Sequence, residues 1–102
     1  NLNYACEIFA DRNYQDNGQL ISRSSSKALI ENPTLAAENI LEVLNSSSIN
    51  CLSGKKLKCS IDSICIHGDN KNAVYMAKQL IEVLTKNNIK LKNLDKLKQF
   101  AF

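Results

Sequence analysis

A chain of 102 residues has room for one domain or part of one. Its 44% apolar and 23% charged residues suit a soluble globular protein, and no apolar run is long enough for a membrane span. The net charge of +3 is mild, and the lysines gathered after position 85 are not interleaved with aromatic residues, which argues against a nucleic-acid binder.

The first predicted element is "YACEIF", residues 4–9, a short strand with Cys6 and Ile8 on one face and Glu7 and Phe9 on the other. A polar stretch follows, with Asn17-Gly18 as a strong turn signal. "LISRSSSKALI" reads as extended pieces around a serine-rich bend. Asn32-Pro33 marks a helix start, with Asn32 suited to the N-cap and Pro33 to the first helical position. Leu35, Ala36, Ile40, Val43 and Leu44 then fall on one helical stripe. "SINCL" and "KLKCS" flank Ser53-Gly54 as a hairpin, and "IDSICI" predicts another strand. A helix from about Asn70 to Asn87 follows, with Ala73, Ala77, Leu80, Ile81 and Leu84 as its apolar stripe.

Strands alternating with helices argue for an α/β fold with a parallel sheet and crossover helices. Only two of these strands would belong to that sheet, and two parallel strands cannot cover themselves on both faces. The pattern also opens at Asn1 rather than Met, already in a strand-like stretch. Both features suggest a fragment or a processed chain. Exposed sheet edges favour pairing with another chain, so the pattern also allows a homo-oligomer. The four cysteines Cys6, Cys51, Cys59 and Cys65 lack the usual zinc spacing and sit mostly among apolar neighbours. They read as reduced core thiols in a cytoplasmic protein rather than as nucleophiles. Cys65 reads so too, since one step along a strand reverses the side chain.

Parallel sheets place ligands at the carboxyl ends of their strands. The first strand carries Glu7 and ends into Asp11 and Arg12; the second ends into His67, Gly68, Asp69 and Asn70. His67 is the sole histidine, able to donate, accept or bind a metal near neutral pH. Asp69 could orient it or hold a cation. Against this stands a plain structural reading: Asp69 or Asn70 as the N-cap of the next helix, Asp11-Arg12 as an ion pair, and Ser22-Arg23-Ser24 as loop, though an arginine there can clamp a carboxylate or phosphate.

"EIFADRNYQDNGQLISRS", residues 7–24, and "SICIHGDNKNAV", residues 63–74, together resemble two segments of the LamB/YcsF family, in order and in spacing. The resemblance covers roughly residues 1–92 and leaves 93–102 as a tail. It implies part of a distorted (β/α) barrel of the glycoside hydrolase and deacetylase type, here only the C-terminal portion. It also implies the role of the A subunit in a prokaryotic 5-oxoprolinase, which opens 5-oxo-L-proline to L-glutamate with ATP and with partner subunits B and C. ATP chemistry usually brings Mg²⁺. Carried over by position, the implied catalytic residues are His67, Asp69 and Asp11, and the implied substrate contacts are Glu7, Arg12, Arg23, Ser24 and Asn70. The family's Gly-Ala after the Arg-Ser bend is replaced here by Lys27-Ala28. Two other readings stand beside this one: a metal-dependent amide or acetyl hydrolase, by fold analogy alone, and a non-catalytic binding or scaffold protein.

Overall fold

The computed structural model describes residues 4–67 and 72–93. The element order is β1 (Glu7–Phe9), α1 (Pro33–Ser46), β2 (Ser48–Asn50), β3 (Lys56–Lys58), β4 (Ser63–Cys65) and α2 (Ala73–Lys86). This is the mixed α/β order that the hydrophobic pattern predicts. Residues 94–102, which include most of the expected tail, lie outside the described residues.

Helix α1 begins where Asn32-Pro33 directs. The Asn32 Oδ1 accepts from the backbone N–H of Thr34 at 2.9 Å and of Leu35 at 3.2 Å. Two donors of the first turn are thereby satisfied, and Pro33 brings no N–H that needs a partner. Asn32→Ala is expected to destabilise the protein by about 1 kcal/mol. The urea midpoint reads this, and an unchanged midpoint would mean that water serves those donors equally well. The helix ends at Ser47, whose left-handed backbone (φ 51°) sends its N–H back to the Val43 carbonyl.

Strands β1 and β4 pair in parallel, with Glu7 opposite Ser63, Ile8 opposite Ile64 and Phe9 opposite Cys65. Side chains alternate along a strand, so Ile8, Ala10, Ile64 and Ile66 share one face. Ile8 and Ala10 are buried in a core with Ala36, Ala37, Ile40 and Val43 of α1 and with Met76, Leu80 and Leu84 of α2; Ile64 and Ile66 pack against it. The two helices thus cover one face of the β1–β4 pair. Glu7, Phe9, Ser63, Cys65 and His67 belong to the other.

The helical stripes differ from the predicted ones at their margins. Leu35 is 56% exposed and Ile81 50% exposed, while Ala37 and Met76 are buried instead. The buried seam is narrower than the apolar stripe. On α2, Ile81 lines the wall of an open groove with Ile61, Ile64, Ile66, Ala77 and Leu91. Helix α2 closes with a two-bond C-terminal motif: Asn88, at φ 60°, donates to Thr85 O, and Ile89 donates to Leu84 O at 2.9 Å.

The expected hairpin is present. β2 and β3 are antiparallel, with Ile49 opposite Leu57, and Gly54 takes φ 97° in the connecting turn. The tip of this hairpin braces the loop after β1. Leu52 N donates to Tyr14 O at 2.9 Å, the Cys51 thiol to Gln15 O at 3.3 Å and the Ser53 hydroxyl to Asp16. That loop turns at Gly18, φ 87°, as Asn17-Gly18 predicts. It is pinned by backbone bridges of Tyr14 with Leu20 and of Arg12 with Leu29.

Candidate active site

The carboxyl ends of β1 and β4 lie side by side, so the residues that follow them meet. The Phe9 and His67 rings stack with centroids 4.9 Å apart and planes 27° apart. At the other end of the same face the Ser63 hydroxyl donates to a Glu7 carboxylate oxygen at 3.2 Å. Between them, burial first, and then the Glu7 and Asp11 carboxylates, push the Cys65 thiol above its ordinary value. The face therefore combines an imidazole, two carboxylates, a hydroxyl and a thiol held protonated.

The protonated thiol has a measurable consequence. Alkylation of Cys65 by iodoacetamide at pH 8 is expected to be slower than in the unfolded chain and to rise only at more alkaline pH, because the thiolate is the nucleophile. Rapid labelling near pH 7, followed by mass spectrometry, would instead place a thiolate there.

Asp11 is 3% exposed, and its carbonyl accepts from Ile30 N at 2.8 Å. Arg12 is 6% exposed and turned inward: its Nη2 donates to Ile21 O at 2.7 Å. The buried Arg12 Nε has no hydrogen-bond partner among the described residues. Asp11 and Arg12 thus make no ion pair of the exposed surface kind; both are built into the root of the loop. Arg23 and Ser24 sit on an exposed turn, where the Ser22 and Ser24 hydroxyls lie 2.9 Å apart. No contact recorded among the described residues joins them to the strand ends. Lys27 is not among the residues with positive φ, so this backbone does not require the glycine usual in the family. The Lys27 carbonyl accepts from Asn13 Nδ2 at 2.8 Å, and Ala28 is fully buried.

Asp69 and Asn70 lie outside the described residues, as does Gly68. Helix α2 starts behind Asn72, whose side chain makes no capping hydrogen bond. The cap expected at Asp69 or Asn70 falls on residues outside those described.

Three residues of the site escape the sequence reading. Cys65 reads as core, yet it stands two positions before His67 and so shares its face. Phe9 reads as an ordinary strand aromatic; its register opposite Cys65 carries it to the histidine. Tyr14 belongs to the segment that resembles the family, but no role is read for it there. Its hydroxyl accepts from Phe9 N at 3.0 Å, and burial, opposed by that bond, raises it above its ordinary value.

The class defined by this fold and site is a parallel-strand α/β protein with titratable groups at the strand ends. More particularly, residues 1–99 match the LamB/YcsF family, and the chain belongs to that family. It is 40% identical over 90 residues to a 5-oxoprolinase A subunit of Campylobacter jejuni, a match covering 88% of this chain and 35% of that one. A 5-oxoprolinase A subunit of Haemophilus influenzae is 36% identical over 85 residues, covering 83% of this chain and 35% of the other. The crystal structure of a lactam utilization protein from Thermus thermophilus superposes with a TM-score of 0.76 at 29% identity, covering 84% of this chain and 34% of that one. The chain spans about a third of the length of the curated relatives it matches. Among the described residues no helix is long and apolar enough to cross a membrane.

Proposed function

We propose that the chain works within the A subunit of an ATP-dependent 5-oxoprolinase, opening the lactam of 5-oxo-L-proline to L-glutamate with partner subunits B and C. The gathering of Asp11, Cys65 and His67 at the carboxyl ends of two parallel strands, with Glu7 on the same face, carries this reading. Relatives named as 5-oxoprolinase A subunits support it. We propose also that the β1–β4 pair is part of a distorted (β/α) barrel. The likeness to about a third of the Thermus protein supports that.

A lactam is a resonance-stabilised amide. Its hydrolysis needs an activated carbonyl, a group that takes a proton from water and donors for the oxygen that gains charge. His67 is the proposed proton acceptor. Asp69 is its proposed orienting partner, Asp11 a further carboxylate of the site, and Glu7 and Asn70 substrate contacts. Arg23 and Ser24 are the proposed contacts for an anionic substrate group, whereas Arg12, turned inward onto Ile21 O, shapes the root of the loop. The described residues do not by themselves fit Mg²⁺ or ATP. Among them no group of three or more His, Cys, Asp or Glu gathers as metal ligands, and the Arg12 guanidinium is engaged with Ile21. ATP use therefore belongs to the assembly as a whole.

The test is glutamate release from 5-oxoproline by the intact protein with subunits B and C, with and without ATP. Release only with ATP is expected. Release without ATP and lost on chelation would replace this reading with a metal-dependent hydrolase. No release, but a melting temperature raised by 5-oxoproline, would leave a binding protein.

A further inference from the structure

We propose that Phe9 is a positioning residue for His67, fixing the imidazole plane by stacking on its face while leaving both ring nitrogens open to hydrogen bonding. The proposal rests on the reading of His67 as a working group of the site.

The geometry supplies the argument. At 4.9 Å and 27° the two rings fall within the range of offset-stacked aromatic pairs. Among the described residues no hydrogen bond or ion pair holds either nitrogen of His67, and the contact found at its ring is the Phe9 stack. A stacked ring occupies neither nitrogen, so it fixes the ring plane and leaves the ring edge open to the proposed Asp69 contact and to substrate. His67 stands two residues beyond Cys65, the last residue of β4, and so lies outside the ladder, where its side chain needs an outside support.

Phe9 can serve as that support because it is itself held from several directions. It is the last residue of β1, opposite Cys65. Its N–H is bound by the Tyr14 hydroxyl at 3.0 Å, and the next residue, Ala10, is buried and donates to Cys65 O at 3.0 Å. Tyr14 is held in turn by Leu52 of the hairpin tip, 2.9 Å from its carbonyl. A continuous set of bonds thus runs from the hairpin through Tyr14 and Phe9 to the imidazole. Catalysis is sensitive to small displacements of a reacting group, so a ring that fixes one plane acts on the chemical step and not on substrate capture.

The experiment pairs kinetics with spectroscopy in the intact protein. Phe9→Leu keeps apolar bulk but removes the flat face, and kcat for glutamate formation is expected to fall on the order of tenfold with KM little changed. Phe9→Tyr restores the ring and is expected to restore kcat. In parallel, the His67 carbon-bound proton resonances, assigned by their loss in His67→Gln, are expected to carry a ring-current displacement that vanishes in Phe9→Leu and persists in Phe9→Tyr. If Phe9→Leu does not fold, the Tyr variant and the wild-type resonances still decide. An unchanged kcat in Phe9→Leu, or a raised KM at constant kcat, overturns the proposal. So does wild-type His67 without ring-current displacement. Loss of the underlying reading would be recognised separately, by normal turnover in a His67 variant.

Discussion

His67→Ala, in the intact protein with its partner subunits, is expected to lower glutamate formation by about two to four orders of magnitude, the usual contribution of a positioned acid–base group. The melting temperature should hardly move. His67 is only half-buried, it stands beyond the end of β4, and its recorded contact among the described residues is the Phe9 stack. Truncation therefore empties no core cavity and strands no buried polar partner. A large loss of turnover at constant stability is the signature of chemistry rather than folding. Near-normal turnover would remove His67 from the mechanism and leave the carboxylates of Glu7 and Asp11 to explain the site.

Ile40→Ala should have the largest effect on stability. Ile40 is 0% exposed and is among the largest fully buried side chains, in the cluster that joins both helices to Ile8. Removing three carbons loses their transfer energy and leaves a hole that the tightly packed surroundings fill only in part. A cost of about 2–5 kcal/mol follows, a large share of the ~5–15 kcal/mol that holds a typical domain together. Leu35→Ala on the same helix is the internal control: Leu35 is 56% exposed, and the change should fall within about 1 kcal/mol. Urea unfolding with an unchanged slope reads both. Equal costs at the two positions would mean that the α1 seam is misplaced.

What was legible in the sequence is local. Asn32-Pro33 specifies its helix start through side-chain geometry that needs no tertiary partner, and Asn17-Gly18 and Ser53-Gly54 do the same for their turns. The parallel pairing of β1 with β4 was legible from element order, because a crossover helix brings the two strands into one sheet. Less was legible where packing chooses among equivalent apolar residues. The sequence offers Leu35 and Ile81 as readily as Ala37 and Met76, and only the fit between α1 and α2 selects the second pair. The site divides in the same way. Asp11 and His67 could be placed at the strand ends from pattern alone. The inward turn of Arg12 and the Tyr14–Phe9 tether could not, since both depend on loop closures that leave no periodic trace. Cys65 was legible in principle, by counting two positions back from His67.

The register of β1 with β4 has a kinetic consequence. Glu7 and Ser63 are 56 positions apart, whereas α1, β2 and β3 form one continuous stretch of neighbours. Local elements close cheaply; a distant pairing must first meet the entropy of a long loop. We expect the helix and hairpin to form early and the strand pair to close late in folding, so that substitutions at Phe9 should change the unfolding rate far more than the folding rate. Stopped-flow refolding of Phe9→Leu tests this. The groups that meet at the strand ends are then the last to be assembled, and nothing the site binds can be held before the fold has closed.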